Sequence, residues 1–209
     1  MIYIIITASI HNRFGLVDAE RRRERYLTAI ADTLQHIPSH MTPIIVENNG
    51  QRETYLDHFQ HHGKPVLVVY TNNNELHYAN KATIEMIDIK ETIRRCHMKE
   101  SDMIIKLTGR YRLLSPDFLM DVEKEETKYN AFVKFYNVCE KIFDDDDCVL
   151  GCFALRALYF QLYPHRRMDA VPSGEKAFAS YINHSTRVKK INQLDVECEF
   201  ADSNERLIV

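Results

Sequence analysis

Ile2 to Thr7 is an unbroken apolar run rich in β-branched residues, the pattern of a strand covered on both faces. From Asp18 to Ile37, Tyr26, Leu27, Ile30, Leu34 and Ile37 recur at three- and four-residue steps. That spacing predicts a helix whose Arg21-Arg22-Arg23-Glu24-Arg25 run faces water, stopped by Pro38. Pro43 to Glu47 reads as a second strand, ending in the turn signal Asn48-Asn49-Gly50. Gln51 to His62 is expected to form a short helix with Tyr55, Leu56 and Phe59 inward and Gly63 closing it. His58, His61 and His62 on that helix are expected at the surface. Pro65 to Tyr70 is a third buried strand, and Asn80 to Cys96 a long helix with Ala82, Met86, Ile89, Ile93 and Cys96 on one face. Asp102 to Leu107 is a fourth strand.

The order β-α-β-α-β-α-β predicts an α/β fold with a mostly parallel sheet between layers of helices. Beyond Leu107 the rhythm changes. Thr108 to Tyr111 is a turn, and Ser115-Pro116-Asp117 opens a short helix. Ala131 to Val138 and Val149 to Leu155 read as strands of a mixed part of the sheet, and Arg156 to Tyr163 and Ser173 to Ile182 as helices. Leu194, Val196, Cys198 and Phe200 alternate on one face of a late, half-exposed strand. No linker divides the chain, so residues 1–209 are read as a single domain.

Composition adds exclusions. The 209 residues carry 27 Lys and Arg against 30 Asp and Glu, a net charge of −3, which argues against nucleic acid as a partner bound through overall positive charge. With 45% hydrophobic and 27% charged residues the chain is composed like a folded globular protein. The five scattered cysteines make a poor disulfide framework, and Cys148 and Cys152 are expected as buried thiols in a reducing, cytoplasmic setting. No stretch approaches the ~20 apolar residues of a membrane span.

In open parallel sheets ligands bind beyond the carboxyl ends of the strands, so chemistry is sought in the residues after each one. The first strand is followed by Thr7, Ser9 and Arg13; the second ends in Glu47 and Asn48, suited to bonding a base or ribose. Lys106 and Arg110 place two cations at one strand edge, which suits a diphosphate. There is no G-x-G-x-x-G, no G-x-x-x-x-G-K-[ST] and no G-x-S-x-G, which disfavours a Rossmann dinucleotide site, a P-loop and an α/β-hydrolase.

IIITASIHNRF, PIIVENNG, VVYTNNN, NKATIEMIDI and DMIIKLTGRYRL together resemble the nucleotide half of GT-A-fold glycosyltransferases, and GCFALR and SGEKAFASYI resemble that family's acceptor half. The likeness runs from about Ile2 to Phe200, and related small enzymes are found in bacteria and in large DNA viruses. It implies a mixed, mostly parallel GT-A sheet, with residues 1–113 for the nucleotide and 114–209 for the acceptor. It implies transfer of a sugar from a nucleotide-sugar donor, a UDP-sugar favoured, to a hydroxyl of a glycan acceptor. In that reading Thr7, Ser9, Arg13, Glu47 and Asn48 hold the nucleoside, and Lys81, Lys106 and Arg110 face the diphosphate. Glu175, at a helix start after Pro172-Ser173-Gly174, is the base if the enzyme inverts, with Asp169 as substitute; His184 is a further polar candidate near that helix. The family's usual Mn or Mg is held by an Asp-x-Asp after the fourth strand; here that place reads Lys106-Leu107-Thr108-Gly109-Arg110. The metal is therefore left unassigned, and Asp144 to Asp147 is expected as a solvated turn. The alternatives are a nucleotidyltransferase on a similar sheet and a non-catalytic nucleotide- or glycan-binding module.

Overall fold

The computed structural model describes residues 1–11, 18–78, 80–199 and 205–209, the side chains at 167 and 168 excepted. In chain order the strands are β1 (Ile2–Ala8), β2 (Thr42–Glu47), β3 (Gln60–His61), β4 (Lys64–Pro65), β5 (Leu67–Tyr70), β6 (Met103–Thr108), β7 (Arg112–Leu113), β8 (Ala131–Val133), β9 (Cys152–Arg156), β10 (Val188–Lys190), β11 (Val196–Glu199) and β12 (Arg206–Ile208). The helices are α1 (Ala19–His36), α2 (Lys81–Arg95), α3 (Asp117–Glu125), α4 (Ala157–Leu162), α5 (His165–Asp169) and α6 (Gly174–Ser185).

Seven strands form the central sheet in the order β10-β8-β9-β6-β1-β2-β5. The pairs β1/β2, β2/β5, β1/β6 and β8/β10 are parallel, while β9 runs antiparallel to both β6 and β8. Only β9 is therefore reversed, and the sheet is mixed but mostly parallel. The chain leaves β1 towards β2 and β5, then returns to the other side of β1 as β6. The switch in direction falls between β1 and β6, whose carboxyl ends open a crevice.

Two apolar layers follow from strand alternation. Ile4, Ile6, Ile45, Ile105 and Leu107 pack against Tyr26, Ile30 and Leu34 of α1. Ile5, Ile44, Val46 and Ile104 pack against Met86, Ile89 and Ile93 of α2 and Phe160 and Phe178 of α4 and α6. Ile5, Ile6, Ile30 and Ile89 have no exposed surface, and each such side chain contributes about 1.5–3 kcal/mol of burial. Asp18 caps α1, accepting from the amides of Glu20 and Arg21 at 3.1 Å, and Asn80 caps α2 by accepting from Ala82 N at 2.9 Å.

The structure corrects several expectations. Residues 51–62 form no helix: a turn at 55–58 leads into β3, which pairs with β4 around His62 and Gly63. Both turn residues have positive φ, 46° and 75°, the geometry of a tight two-residue hairpin. Tyr55, Leu56 and Phe59 are nevertheless buried, so their spacing reported burial without a helix. His61 is buried too, its Nε2 3.0 Å from Ile37 O, so the histidine cluster is not wholly superficial. Arg22, expected to face water, is 1% exposed. It lies four residues before Tyr26, on the buried stripe of α1. The strand expected over 131–138 stops at Val133, and the edge strand β10 escaped sequence reading. The late strand, β11, leaves the main sheet for a small antiparallel one with β7 and β12. Its expected end at Phe200 lies outside the described residues. Cys148 and Cys152 are buried free thiols. Among the described residues no helix is long and apolar enough to cross a membrane.

Candidate active site

The crevice at the ends of β1 and β6 contains a cavity of about 270 Å³. Ser9, Asn48, Lys81, Lys106, Arg110 and Glu175 all line it, together with Glu85, Thr108, Tyr111, Cys139 and Gly151. Its wall thus draws on residues from both before and after position 113.

Parity decides which strand residues reach it. Thr7, Asn48, Lys106 and Thr108 share the alternation of Ile5, Val46 and Ile104, so they face α2. There they meet Glu85, which sequence reading passed over. Thr7 Oγ1 donates to Glu85 Oε1 at 3.1 Å, and Lys106 Nζ donates to Glu85 Oε2 at 3.1 Å. Lys106 also donates to Thr108 Oγ1 at 2.6 Å and to Leu150 O at 2.9 Å, so all three ammonium protons are engaged. Burial alone would raise the Glu85 pKa, but the Lys106 ammonium, with Arg110 and Lys81, brings it below the usual carboxylate range. One turn on, Asp88 accepts from Asn48 Nδ2 at 2.7 Å, Thr71 Oγ1 at 2.7 Å and Asn73 Nδ2 at 2.8 Å. Burial pushes the Asp88 carboxyl up to about 6 despite these donors. The polar ends of β2 and β5 are thereby tied to α2. With its amide nitrogen held by Asp88, Asn48 has its buried Oδ1 without a partner.

Glu47 has the opposite parity and lies on the α1 face, away from the cavity wall. It has no exposed surface, and accepts from Ile10 N at 3.1 Å and from the Tyr55 hydroxyl. Burial lifts its carboxyl to about 7. Its visible task is to hold the segment leaving β1, which Arg22 grips from the other side by donating to Ser9 O at 2.6 Å and Ile10 O at 3.2 Å. Thr7 sits behind Glu85 and does not line the cavity, and Arg13 lies outside the described residues.

Arg110 follows β6 through Gly109, where an added Cβ would come within 2.8 Å of Thr7 O; the close approach to β1 leaves no room for a side chain. The Arg110 residue is 9% exposed, and its buried Nε has no hydrogen-bond partner. Glu175 enters from the first turn of α6, where Ser173 caps the helix and also donates to Glu175 Oε2 at 3.2 Å. Asp169 does not line the cavity: its Oδ1 accepts from Asn80 N at 2.8 Å and secures the start of α2. His184 is exposed, its Nδ1 2.7 Å from Ser180 O. Within the Asp144 to Asp147 run, Asp144 caps a turn, while Asp147 is buried against its own chain.

Two of the overlooked residues carried a readable signal. Glu85 falls three residues after Ala82 and four before Ile89, inside the apolar stripe of α2, and Arg22 falls on the stripe of α1. A charge at such a position must find a buried partner.

No family model matches the chain, and no curated protein matches it in sequence. Solved structures do match. A protein of Desulfovibrio desulfuricans G20 designated a nucleotide-diphospho-sugar transferase aligns at TM-score 0.55 and 9% identity, over 91% of this chain and 79% of that one. The galactosyltransferase LgtC, determined with donor and acceptor sugar analogues, aligns at 0.56 and 9% identity, over 92% and 73%. A protein of Bacillus anthracis designated a glucose-1-phosphate thymidylyltransferase aligns at 0.56 and 10% identity, over 91% and 86%. The fold is therefore GT-A-like, a frame that these sugar and nucleotidyl transferases share.

Proposed function

We propose that this chain transfers a sugar from a nucleotide-sugar donor to a hydroxyl of a glycan or related acceptor, with a UDP-sugar as the first donor to try. The observation that carries the reading is the joint placement of a guanidinium and a carboxylate in one cavity at the switch point: Arg110, whose buried Nε has no hydrogen-bond partner, and Glu175. The first suits a diphosphate and the second a proton acceptor.

In this reading the donor diphosphate lies against Arg110 and Lys81, while Ser9 and Asn48 Oδ1 meet the nucleoside. Lys106 acts through Glu85: it holds that carboxylate in place and is itself held. Glu175 takes the acceptor's hydroxyl proton as its oxygen attacks the anomeric carbon. The bond from that carbon to the diphosphate breaks, and the leaving nucleoside diphosphate gathers its negative charge beside Arg110. Residues 1–113 then serve the donor and 114–209 the acceptor.

Incubation with a panel of nucleotide-sugars and oligosaccharide acceptors tests this, read by release of nucleoside diphosphate and by product mass. Release of inorganic diphosphate from a nucleoside triphosphate and a sugar 1-phosphate would instead establish nucleotidyl transfer. Nucleotide binding without turnover of any donor would leave a binding module.

A further inference from the structure

We propose that this cavity neutralises the diphosphate of its donor with fixed side-chain cations and takes no divalent metal for the purpose. The inference rests on the donor reading above. Its starting point is the chain after β6, where the resembled family carries a metal-binding carboxylate pair. Here Lys106, Thr108, Gly109 and Arg110 occupy that stretch, and two of the four are cations lining the cavity.

The carboxylates that do line the cavity are committed elsewhere. Both oxygens of Glu85 accept hydrogen bonds, one from Thr7 and one from Lys106. A metal ion taking Glu85 would strand the Lys106 ammonium, which is 1% exposed and has no other carboxylate partner among the described residues. Glu175 is engaged through one oxygen by Ser173. Among the described residues no three His, Cys, Asp or Glu side chains come together to hold a metal. A dication placed in the cavity would meet Lys81, Lys106 and Arg110 in a partly desolvated space, where like charges repel more strongly than in water.

A diphosphate meets the opposite situation. Arg110 is nine-tenths buried, and its Nε–H lacks an acceptor. The Arg110 side chain lines the cavity, where its guanidinium can give a phosphate oxygen a charge-assisted bond. Lys81, exposed at the first position of α2 and lining the cavity, adds an ammonium at its mouth. Because Asn80 already caps α2, the ammonium rather than the helix amides is the expected contact.

Isothermal titration with UDP, GDP, CDP, ADP and dTDP, each in excess EDTA and again in excess manganese or magnesium, decides the matter. The expected result is that at least one nucleoside diphosphate binds in EDTA with an affinity that added metal does not improve. In EDTA, Arg110→Met should weaken that binding by about 10- to 150-fold, the range for a hydrogen bond to a charged group. Lys81 is exposed, so Lys81→Ala should leave the fold intact and weaken binding in the same buffer. Binding seen only with metal, or tightened by about tenfold or more on its addition, overturns metal independence and leaves the transferase reading intact. Unchanged EDTA affinity in both variants overturns the assignment of these cations. Absence of binding by every nucleotide in both buffers overturns the donor reading itself and this inference with it.

Discussion

Replacing Glu85 by Gln should cost far more stability than its half-exposed position suggests. The Lys106–Glu85 pair is asymmetric: Lys106 is 1% exposed at its side chain and Glu85 28%. At 3.1 Å and an effective dielectric constant of about 20, their gross attraction is about 5 kcal/mol, most of it offset by the water each has lost. Glu85→Gln leaves the ammonium buried with only Thr108 Oγ1 and Leu150 O as acceptors of the original set, and should destabilise the fold by about 3–5 kcal/mol. Lys106→Met fills the same space without a charge and leaves a carboxylate that water can reach. It should cost only about 1–2 kcal/mol. The double variant should then resemble Lys106→Met alone, giving a coupling energy of about 3–5 kcal/mol, the whole Glu85→Gln cost. Urea denaturation at neutral pH measures all three, and in a chain of 209 residues each kcal/mol should also move Tm by about 2–4 °C. Costs that simply add in the double variant, or a Glu85→Gln cost below about 1 kcal/mol, would refute the idea that Glu85 compensates a buried charge.

Three further outcomes are expected. Glu175→Gln should lower kcat by about 10²–10⁴-fold and leave donor Kd nearly unchanged, and a smaller loss in steady-state assays would return Glu175 to a helix-start role. Glu47 and Asp88 hold protons more tightly in the folded chain than in the unfolded one, at about 7 and about 6. Their contribution is thus fully present below the unfolded carboxyl values of about 4 and lost as pH rises through the folded ones, so the urea midpoint should fall from about pH 4 to about pH 7. Glu47→Gln should flatten part of that slope, and an unchanged slope would exclude Glu47 as its source. Gly151→Ala would drive a methyl into the Tyr111 ring, so it should cost about 1–3 kcal/mol by thermal melting and distort the cavity wall that both residues share; a melting temperature equal to wild type would show that Tyr111 can move aside.

Periodicity along the chain was enough for the fold's frame. Runs such as Ile2 to Thr7 and Met103 to Leu107 cannot be solvated, and the stripes of α1 and α2 can be buried only against them. A β-α-β order then leaves few arrangements, and the ends of β1 and β6 are where polar residues gather. Six candidate residues read from those ends and from two helix starts do converge on one cavity: Ser9, Asn48, Lys81, Lys106, Arg110 and Glu175. The region 51–62 was not legible, because its apolar spacing fits a helix and a folded turn alike, and the positive φ of His62 decides between them only in three dimensions. Pairing was equally invisible. Strand alternation already implied that Glu47 and Asn48 point to opposite faces. Only the packed sheet showed that Asn48 meets Asp88 and Glu47 meets Tyr55. Lys106 reads as a free cation in sequence, and α2, whose contacts are made across the sheet and not along the chain, closes Glu85 over it. Arg110 stands in the same segment, yet the tertiary structure leaves its Nε buried and unpaired. A local pattern determines which side chains must be hidden; which partner each hidden charge finds is a property of elements far apart in sequence, and that is what separates the paired lysine from the arginine whose Nε finds none.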